Sequence, residues 1–352
     1  MYSMHYHQYM TKAAYVYGSE LLSSSLNGAY DTPDRVLAAK GALDTEGLTE
    51  RMVCIPVHAA GMLDLTAAHD MNYVYGFRDW MRRGGSSGGA YPIRKEEFEL
   101  ALLAAGGCVD ACGEILNGSL NCALALTRPP GHLACYDHPG GPCLFNNAAI
   151  AAQTFLKGGL DKAAIVSFTA RHSSGIQDIF YRKRKVLTVS AHRIPSIPES
   201  GFTYEIGAGP ACGTNINIPL PSGCGDIEYM RVFKEIIEPA LRKHEPNVII
   251  ACLGFDISEK DGTSGQRVST WGFAAMAALL MNLAAEFCEK RILFIMEDGT
   301  NLQAIAEGTI AVARAMLGDF KEDEALGWEP EHIFGAPDIE LLLREIKSLH
   351  HI

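Results

Sequence analysis

The sequence predicts a parallel β-sheet with helices packed against both of its faces. Short apolar and β-branched runs alternate with amphipathic stretches of helical length along most of the 352 residues. Several of these runs, such as "VIIACLGF" (248–255), lack the polar alternation expected of a strand with one solvated face. Strands that alternate with helices are typical of parallel sheets, because parallel strands need crossover connections.

The elements follow one another in a regular order. The predicted strands span 52–57, 122–127, 163–168, 186–192, 248–255 and 291–297, and the predicted helices span 96–117, 146–157, 227–244, 269–289 and 301–317. In folds of this kind the functional site lies at the carboxyl ends of the strands. The candidate site is therefore formed by the segments after the strands: "TRPPGH", "TARHSSG", "SAHR", "GFDISEKD" and "MEDGTN".

Length and charge restrict the possible functions. The chain is long enough for one large α/β domain or two smaller ones. A net charge of −11 argues against unaided binding to nucleic acid or to an anionic membrane. No run approaches the roughly 18 apolar residues of a membrane span, and the N-terminus lacks the pattern of a signal peptide. We therefore expect a cytoplasmic protein.

The cysteines and one Gly/Ser-rich stretch have simple interpretations. Ten cysteines without framework spacing indicate reduced, mostly buried thiols. Cys108 and Cys112 are four residues apart, which favours packing on one helix face over a metal or redox pair. The stretch "RRGGSSGGAYP" (82–92) predicts a flexible loop, either a rim or lid of the site or a plain surface connector.

Five motifs carry a family resemblance. They occur in the order "RPPGH" (128–132), "GPCLFNNAAIAAQ" (141–153), "GIQDIFY" (175–181), "NINIPLPSGCGD" (215–226) and "LGFD" (253–256). Over residues 30 to 320 the chain resembles the zinc-dependent histone deacetylase and acetylpolyamine amidohydrolase family. The resemblance implies an arginase-like three-layer α/β/α fold, with a single central and mostly parallel sheet and one domain over 1–352.

The resemblance also implies a particular active site. The family binds zinc through an Asp and a His from an Asp-x-Asp-x-His-His strand end, together with a later Asp. Zinc polarises the substrate amide and lowers the pKa of its bound water. A tandem His-His pair supplies the general base and acid, and a Tyr that follows a Gly-Gly pair donates to the oxyanion.

This chain departs from that pattern at the metal ligands. Its strand end reads "SFTARH", which places Ser167 at the first acidic position, Thr169 at the ligand Asp and Arg171 at the ligand His. His172 persists, although the family does not use that residue as a ligand. Asp256 alone remains of the three zinc ligands.

The catalytic and channel positions have changed as well. His132 stands at the position of the first tandem histidine, and Leu133 stands at the position of the second. Ser174 stands where an Asp or Asn orients the second histidine. Thr300 replaces the oxyanion tyrosine, and Pro142 replaces the channel Phe.

These changes argue against a metal site. One carboxylate cannot hold a catalytic zinc ion, which takes about three protein ligands. A guanidinium such as that of Arg171 has no lone pair to donate. Ser167 and Ser190 stand at positions that line a potassium site in the family. Because the carboxylates of that site are lost in this chain, we expect no tightly held potassium. The sequence thus predicts no metal, no other cofactor, and no zinc-dependent deacetylase activity.

Arg171 and Asp256 are expected to pair. Without zinc, Asp256 would be a buried and uncompensated carboxylate, and a guanidinium at the facing ligand position can bind it bidentately. Such a pair either plugs a dead cavity or leaves the guanidinium able to bind a carboxylate, phosphate or oxyanion of a ligand.

Four residues are candidates for catalysis. His132 is either a neutral core histidine bonded to a hydroxyl or a base whose pKa lies near neutrality. Asp298, a carboxylate that the family motif lacks, is either functional or a turn residue that bonds its own backbone. The catalytic candidates are His132, His172, Asp256 and Asp298, and the ligand-binding candidates are Arg171, Thr169, Ser174, Leu133, Pro142 and Thr300. His192 in "SAHR" is expected to pack in the core.

Two functions are consistent with these residues. The first is a repurposed, metal-independent enzyme that acts on a small acyl- or amine-bearing metabolite, such as a biosynthetic intermediate. It is favoured because polar and ionisable residues occupy positions that a dead pocket would fill with apolar ones. The second is an inactive pseudo-deacetylase that binds a ligand or serves as a scaffold, either as a homodimer or beside a partner enzyme. Relocated zinc ligands are disfavoured, because no other cluster has suitable spacing.

Overall fold

A computed structural model of the chain describes residues 11–23, 31–88, 91–195, 199–320 and 336–352. Eight parallel strands form one sheet in the order β2-β1-β3-β8-β7-β4-β5-β6. The strands are β1 (Ala13–Val16), β2 (Val53–Ile55), β3 (Cys122–Ala125), β4 (Ala163–Phe168), β5 (Val186–Arg193), β6 (Asn215–Leu220), β7 (Ile249–Leu253) and β8 (Ile292–Met296). The predicted parallel sheet is confirmed.

Helices cover both faces of this sheet. They are α1 (Pro33–Thr45), α2 (Met62–Ala68), α3 (Met71–Arg82), α4 (Lys95–Leu116), α5 (Asn147–Lys157), α6 (Ser174–Phe180), α7 (Asp226–Val232), α8 (Glu238–His244), α9 (Thr270–Phe287), α10 (Leu302–Leu317) and α11 (Glu340–His350). Strand residues alternate between two cores. In β8, Phe294 joins the core beneath α1 and α7–α11, whereas Leu293 and Ile295 join the core beneath α2–α6. The predicted three-layer α/β/α fold is thus confirmed.

All six predicted strands and five predicted helices are present, with small shifts at their ends. Two strands escaped prediction. β1 is only four residues long, and β6 contains Asn215, Asn217 and Pro219, which are uncommon in strands. Here both asparagine side chains donate to Gln177 Oε1 at 2.8 Å. Specific hydrogen bonds therefore compensate for the weak strand propensity.

The single helix predicted over 227–244 is interrupted by a π-helical segment, Phe233–Ile237, between α7 and α8. Pro239 lies in the first turn of α8 and has no N–H to donate to the preceding turn. A π-helical turn at this point lets the chain continue in the same direction with a changed hydrogen-bond pattern.

α9 is the one helix in the described part of the chain that is long and apolar enough to cross a membrane. Its most apolar stretch is 67% buried inside the protein. Packing in the core therefore accounts for its composition.

The predicted core packing of Cys108, Cys112 and His192 is confirmed. All ten cysteines are free thiols, and Cys108 and Cys112 are buried on α4 within the core. His192 is buried, and its Nε2 hydrogen-bonds the Gly201 carbonyl at 3.0 Å. Residues 89–90 of the Gly/Ser-rich loop lie outside the described part. Within the stretch, Ser87 N donates to the carbonyl of Ile93, the residue directly after it, at 2.9 Å.

Buried arginines fix the loops at the carboxyl edge of the sheet. Arg128, after β3, donates from Nε to Asp31 Oδ1 at 2.8 Å, and both side chains are almost fully buried. Arg35, on α1, donates from Nε to the Gly299 carbonyl at 2.8 Å and also binds the Glu297 carbonyl. Helix α1 thereby holds the segment after β8, which belongs to the candidate site.

Candidate functional site

A cavity of about 210 Å³ opens at the carboxyl ends of β4, β5, β7 and β8. This is the edge at which parallel α/β sheets bind their ligands. Its walls carry charged and hydroxyl side chains together with a few small residues. They comprise Ala170, Arg171, Arg193, Pro195, Asp256, Thr263, Ser264, Asp298, Gly299 and Thr300.

The backbone after β8 gives Asp298 its position. The Asp298 carbonyl accepts a hydrogen bond from Phe255 N at 2.8 Å, and Arg35 holds the next carbonyl. Gly299 has a φ of +127°, and a Cβ there would lie 2.9 Å from the Cβ of Phe255. Only glycine fits this position, so the turn that presents Asp298 is fixed by backbone geometry.

The carboxylate of Asp298 binds two cationic or titratable groups at once. Arg171 donates from Nε to Oδ2 at 3.0 Å and from Nη2 to Oδ1 at 2.7 Å. His132 Nε2 lies 3.0 Å from Oδ2. Arg171 retains 25% of its side-chain exposure, whereas His132 is fully buried. Arg171 therefore lines the cavity and His132 stands behind Asp298.

These contacts shift the pKa of each partner. Burial alone would raise the pKa of Asp298, but the charges of His132 and Arg171 hold it well below its ordinary value. Burial lowers the pKa of His132, yet the charge of Asp298 and the hydrogen bond to it leave that pKa raised. For Arg171, Asp298 more than offsets burial and raises the pKa. The three groups thus stabilise one another in their charged forms.

The backbone and second nitrogen of His132 are held as well. Glu297 Oε2 accepts from the backbone N–H groups of Gly131 at 2.6 Å and His132 at 3.2 Å. His132 Nδ1 lies 3.0 Å from Ser173 Oγ, which is 2.6 Å from Ser167 Oγ. His132 thus bonds a hydroxyl, as one of the two alternatives expected, but its contact with Asp298 and its raised pKa do not fit the neutral core histidine of that alternative.

The predicted Arg171–Asp256 pair is wrong, because the guanidinium binds Asp298 instead. Asp298 is the better partner since His132 and the fixed turn already hold its carboxylate in place. The Asp256 carboxylate instead accepts the backbone N–H of Ala170, at 3.1 Å to Oδ1 and 3.2 Å to Oδ2.

Asp256 consequently has an unusual pKa. Burial and the negative charge of Asp298 raise it from 3.8 to about 7, against the opposing effects of the Ala170 N–H and Arg171. The ionised form of Asp256 is therefore disfavoured relative to that of an exposed aspartate. As its side chain also lies on the cavity wall, it can either donate or accept a proton there.

Sequence reasoning missed six of the ten residues that line the cavity, and it also missed Asp261, which lies behind the rim. Asp261 joins two rim loops: its Oδ2 accepts from Thr300 N at 2.8 Å and from Asn301 N at 2.9 Å, and its Oδ1 accepts from the Thr263 hydroxyl. Arg193, the last residue of β5, lines the cavity. Its place directly after "SAH", at the carboxyl end of a predicted strand, was the available signal.

Of the ten predicted site residues, four line the cavity: Arg171, Asp256, Asp298 and Thr300. The other six lie behind or beside its wall. His172 is buried with Nδ1 2.9 Å from Ser200 Oγ, and burial lowers its pKa to about 4, so it is neutral. Thr169 is buried and donates to the Arg171 carbonyl at 2.6 Å.

The remaining predicted residues surround the loop that contains Gly141. Leu133 is buried in a small apolar cluster with Ala134 and Cys143. Pro142 is buried, and Ser174 is partly exposed at the start of α6. A Cβ at Gly141 would lie 3.5 Å from Leu133 and 3.7 Å from Arg171 Nη1. The backbone at Gly141 therefore lies close to the Arg171 guanidinium.

The side chains at the site do not fit a zinc ion. No group of three or more His, Cys, Asp or Glu side chains within the described ranges is arranged to hold a metal. The Asp256 carboxylate accepts the Ala170 N–H, and the neighbouring guanidinium of Arg171 has no lone pair with which to coordinate a cation. The absence of zinc itself stays a prediction for metal analysis.

The chain is similar to known proteins in both sequence and fold. Residues 29–316 match the model of the histone deacetylase domain. A probable deacetylase of Archaeoglobus fulgidus is 33% identical over 81% of this chain and 80% of its own length. A histone deacetylase-like amidohydrolase of Pseudomonas aeruginosa is 30% identical over 83% of this chain and 77% of its own. The crystal structure of the HDA15 HD domain superposes with a TM-score of 0.85, at 26% identity, over 97% and 94% of the two chains.

The pKa of Asp256 predicts a pH-dependent stability. Because the folded-state pKa is raised, protonated Asp256 contributes stability that is fully present below the unfolded-state pKa of about 4 and is lost as pH rises through about 7. In urea titrations, the difference in unfolding free energy between wild type and Asp256→Asn should fall with pH over this window, by up to about 1.4 kcal/mol per pH unit. Asp161→Asn, at an exposed and ion-paired site, should show no such slope above pH 5. A flat difference for Asp256→Asn would contradict the assignment.

The shared carboxylate predicts strong coupling between Arg171 and Asp298. Asp298→Asn should destabilise the protein by about 3–5 kcal/mol, because it leaves buried cationic groups without their counter-ion. Arg171→Met with Asp298→Asn should cost less than the sum of the single changes, by about 1–3 kcal/mol in a double-mutant cycle. The exposed pair Arg51–Asp319 provides the control, with coupling below about 1 kcal/mol. Equal coupling in both cycles would show that Asp298 does not organise the site.

Proposed function

This chain belongs to the histone deacetylase family, and we propose that it is a metal-independent enzyme acting on a small acyl- or amine-bearing metabolite in the cavity beside Arg171. The proposal assigns acid–base catalysis to Asp256 and electrostatic anchoring to Arg171. Asp298 and His132 act behind the wall, where they hold the guanidinium in place.

The observation that carries this proposal is the state of Asp256. Its carboxylate lies on the cavity wall with a pKa raised to about 7, and among the described residues it accepts hydrogen bonds only from Ala170 N–H. General acid–base groups work best when their pKa lies near the operating pH. A merely structural carboxylate would be expected to have its hydrogen-bonding capacity filled by the protein.

Arg171 supports the same assignment. Its guanidinium is held side-on by Asp298 and lines the cavity that Asp256 also lines. A fixed cation in a partly dehydrated site stabilises negative charge that develops on an acyl oxygen without having to reorganise. Asp256 can then exchange a proton with the leaving amine or with an attacking water molecule.

The cavity itself limits the substrate. Its volume of about 210 Å³ is below the roughly 300–1,000 Å³ of pockets that enclose drug-sized ligands. Seven of its ten wall residues carry charged or hydroxyl side chains. Both features favour a short, polar molecule over a long acylated side chain.

A second candidate function is a ligand-binding or scaffold protein without catalysis. It is favoured by the commitment of Arg171 and His132 to Asp298, which makes this trio a compact structural plug. Asp256 separates the two candidate functions, because the enzyme needs its carboxyl group and a structural plug does not. Several relatives are named as deacetylases, and the turnover assay described next also tests whether this chain has that activity.

The test is a turnover assay on metal-stripped protein. Acetyl-lysine peptide, acetylated polyamines and N-acylated amino acids would be incubated with excess chelator, or with zinc added, and products followed by mass spectrometry. We expect chelator-resistant turnover of a small acylated amine. Asp256→Asn should lower it by about 100- to 10,000-fold, and the surface change Asp161→Asn should leave it unaltered.

Three results would contradict the proposal in different ways. Turnover that appears only with zinc would make the protein a deacetylase like its named relatives. Turnover that survives Asp256→Asn would remove the assigned acid–base group. Ligand binding without any turnover would establish the binding-protein alternative.

A further inference from the structure

We propose that the substrate carries an anionic group, a carboxylate or a phosphate, and that Arg193 binds this group in the cavity. The inference rests on the proposed function, which places a small ligand there, and adds the chemical class of that ligand. It assigns Arg193 as a specificity-determining residue.

The position of Arg193 follows from the strand register. β4 and β5 are parallel neighbours, with Phe168 opposite Ala191. Two residues further on, the same register brings Arg193 opposite Ala170, and Arg193 N donates to the Ala170 carbonyl at 3.0 Å. Arg193 thus stands beside the segment that carries Arg171, at the end where adjacent parallel strands present their side chains to the cavity.

The two arginines differ in their partners. Arg171 forms a bidentate ion pair with Asp298. The side chain of Arg193 lines the cavity wall, is partly buried, and forms no hydrogen bond or ion pair within the described ranges. A partly dehydrated guanidinium without an acceptor is costly, and a bidentate oxyanion is the partner that its geometry matches.

The charge balance of the cavity points to the same ligand. The Asp298 carboxylate already faces two cationic groups, Arg171 and His132, so it has no charge left to compensate Arg193. Arg193 lines the same cavity, and its guanidinium forms no ion pair with a carboxylate of the described residues. A ligand with a single negative charge completes the balance, whereas a polyamine would add further positive charge.

A substrate with two different ends could bind both Arg193 and the part of the wall formed by Arg171 and Asp256. Its anionic end would meet Arg193, and its acyl or amine group would then lie near Arg171 and Asp256. The small volume places these groups a short distance apart in the same molecule. A short N-acylated amino acid has this chemistry, and a small phosphorylated amine is the phosphate counterpart.

The experiment compares N-acetylglycine with its neutral isostere N-acetylglycinamide, and with inorganic phosphate, on wild type and Arg193→Gln. Binding would be measured by ligand-observed NMR titration, which detects weak affinity. Wild type should bind N-acetylglycine or phosphate about 10- to 100-fold more tightly than the neutral amide, as expected for a charge-assisted hydrogen bond. Arg193→Gln should remove this preference, while the surface variant Arg182→Gln should keep it.

Each outcome has a distinct meaning. Arg193-dependent binding of the acylated amino acid identifies a carboxylate, and Arg193-dependent binding of phosphate alone identifies a phosphoryl group. Equal binding of the charged and neutral compounds, anion binding that survives Arg193→Gln, or no binding of any probe overturns the inference. The turnover assay decides the proposed function separately, since chelator-resistant turnover of a neutral amide would preserve the enzyme and refute only the anion specificity.

Discussion

The site depends on one carboxylate, that of Asp298, which holds Arg171 on one side and His132 on the other. A buried charge is tolerated when hydrogen-bonded counter-charges surround it. Glycine geometry at position 299 and the contact from Arg35 fix the turn that presents this carboxylate. The positions of the guanidinium and the imidazole follow from that turn, so backbone and electrostatics act together.

The same arrangement explains why Asp256 stays available. Because Arg171 is committed to Asp298, Asp256 keeps a backbone N–H partner and experiences the neighbouring negative charge. Its pKa rises toward neutrality, where a carboxyl group can exchange protons with a ligand. The family's fold is thus retained, and the chemistry that we propose arises from a different balance of charges in the same cavity.

Much of the fold could be predicted from the sequence, because buried parallel strands and amphipathic helices leave strong periodic patterns. β1 and β6 were missed, since one is very short and the other relies on asparagine side chains whose partners lie far away in sequence. The site was only partly predictable. Residue types at strand ends identified Arg171, Asp256 and Asp298, but which carboxylate binds the guanidinium depends on side-chain geometry that no spacing rule contains.

The measurement that tests the central claim most directly is the zinc content of the full-length protein. The protein would be purified without chelator, incubated with excess zinc, desalted, and analysed for metal by mass spectrometry. We expect far less than one zinc ion per chain, because Arg171 and its ion pair with Asp298 leave no set of lone-pair donors for the cation among the residues that the structure describes. One tightly held zinc ion per chain would contradict the charge network described above and return the site to metal chemistry.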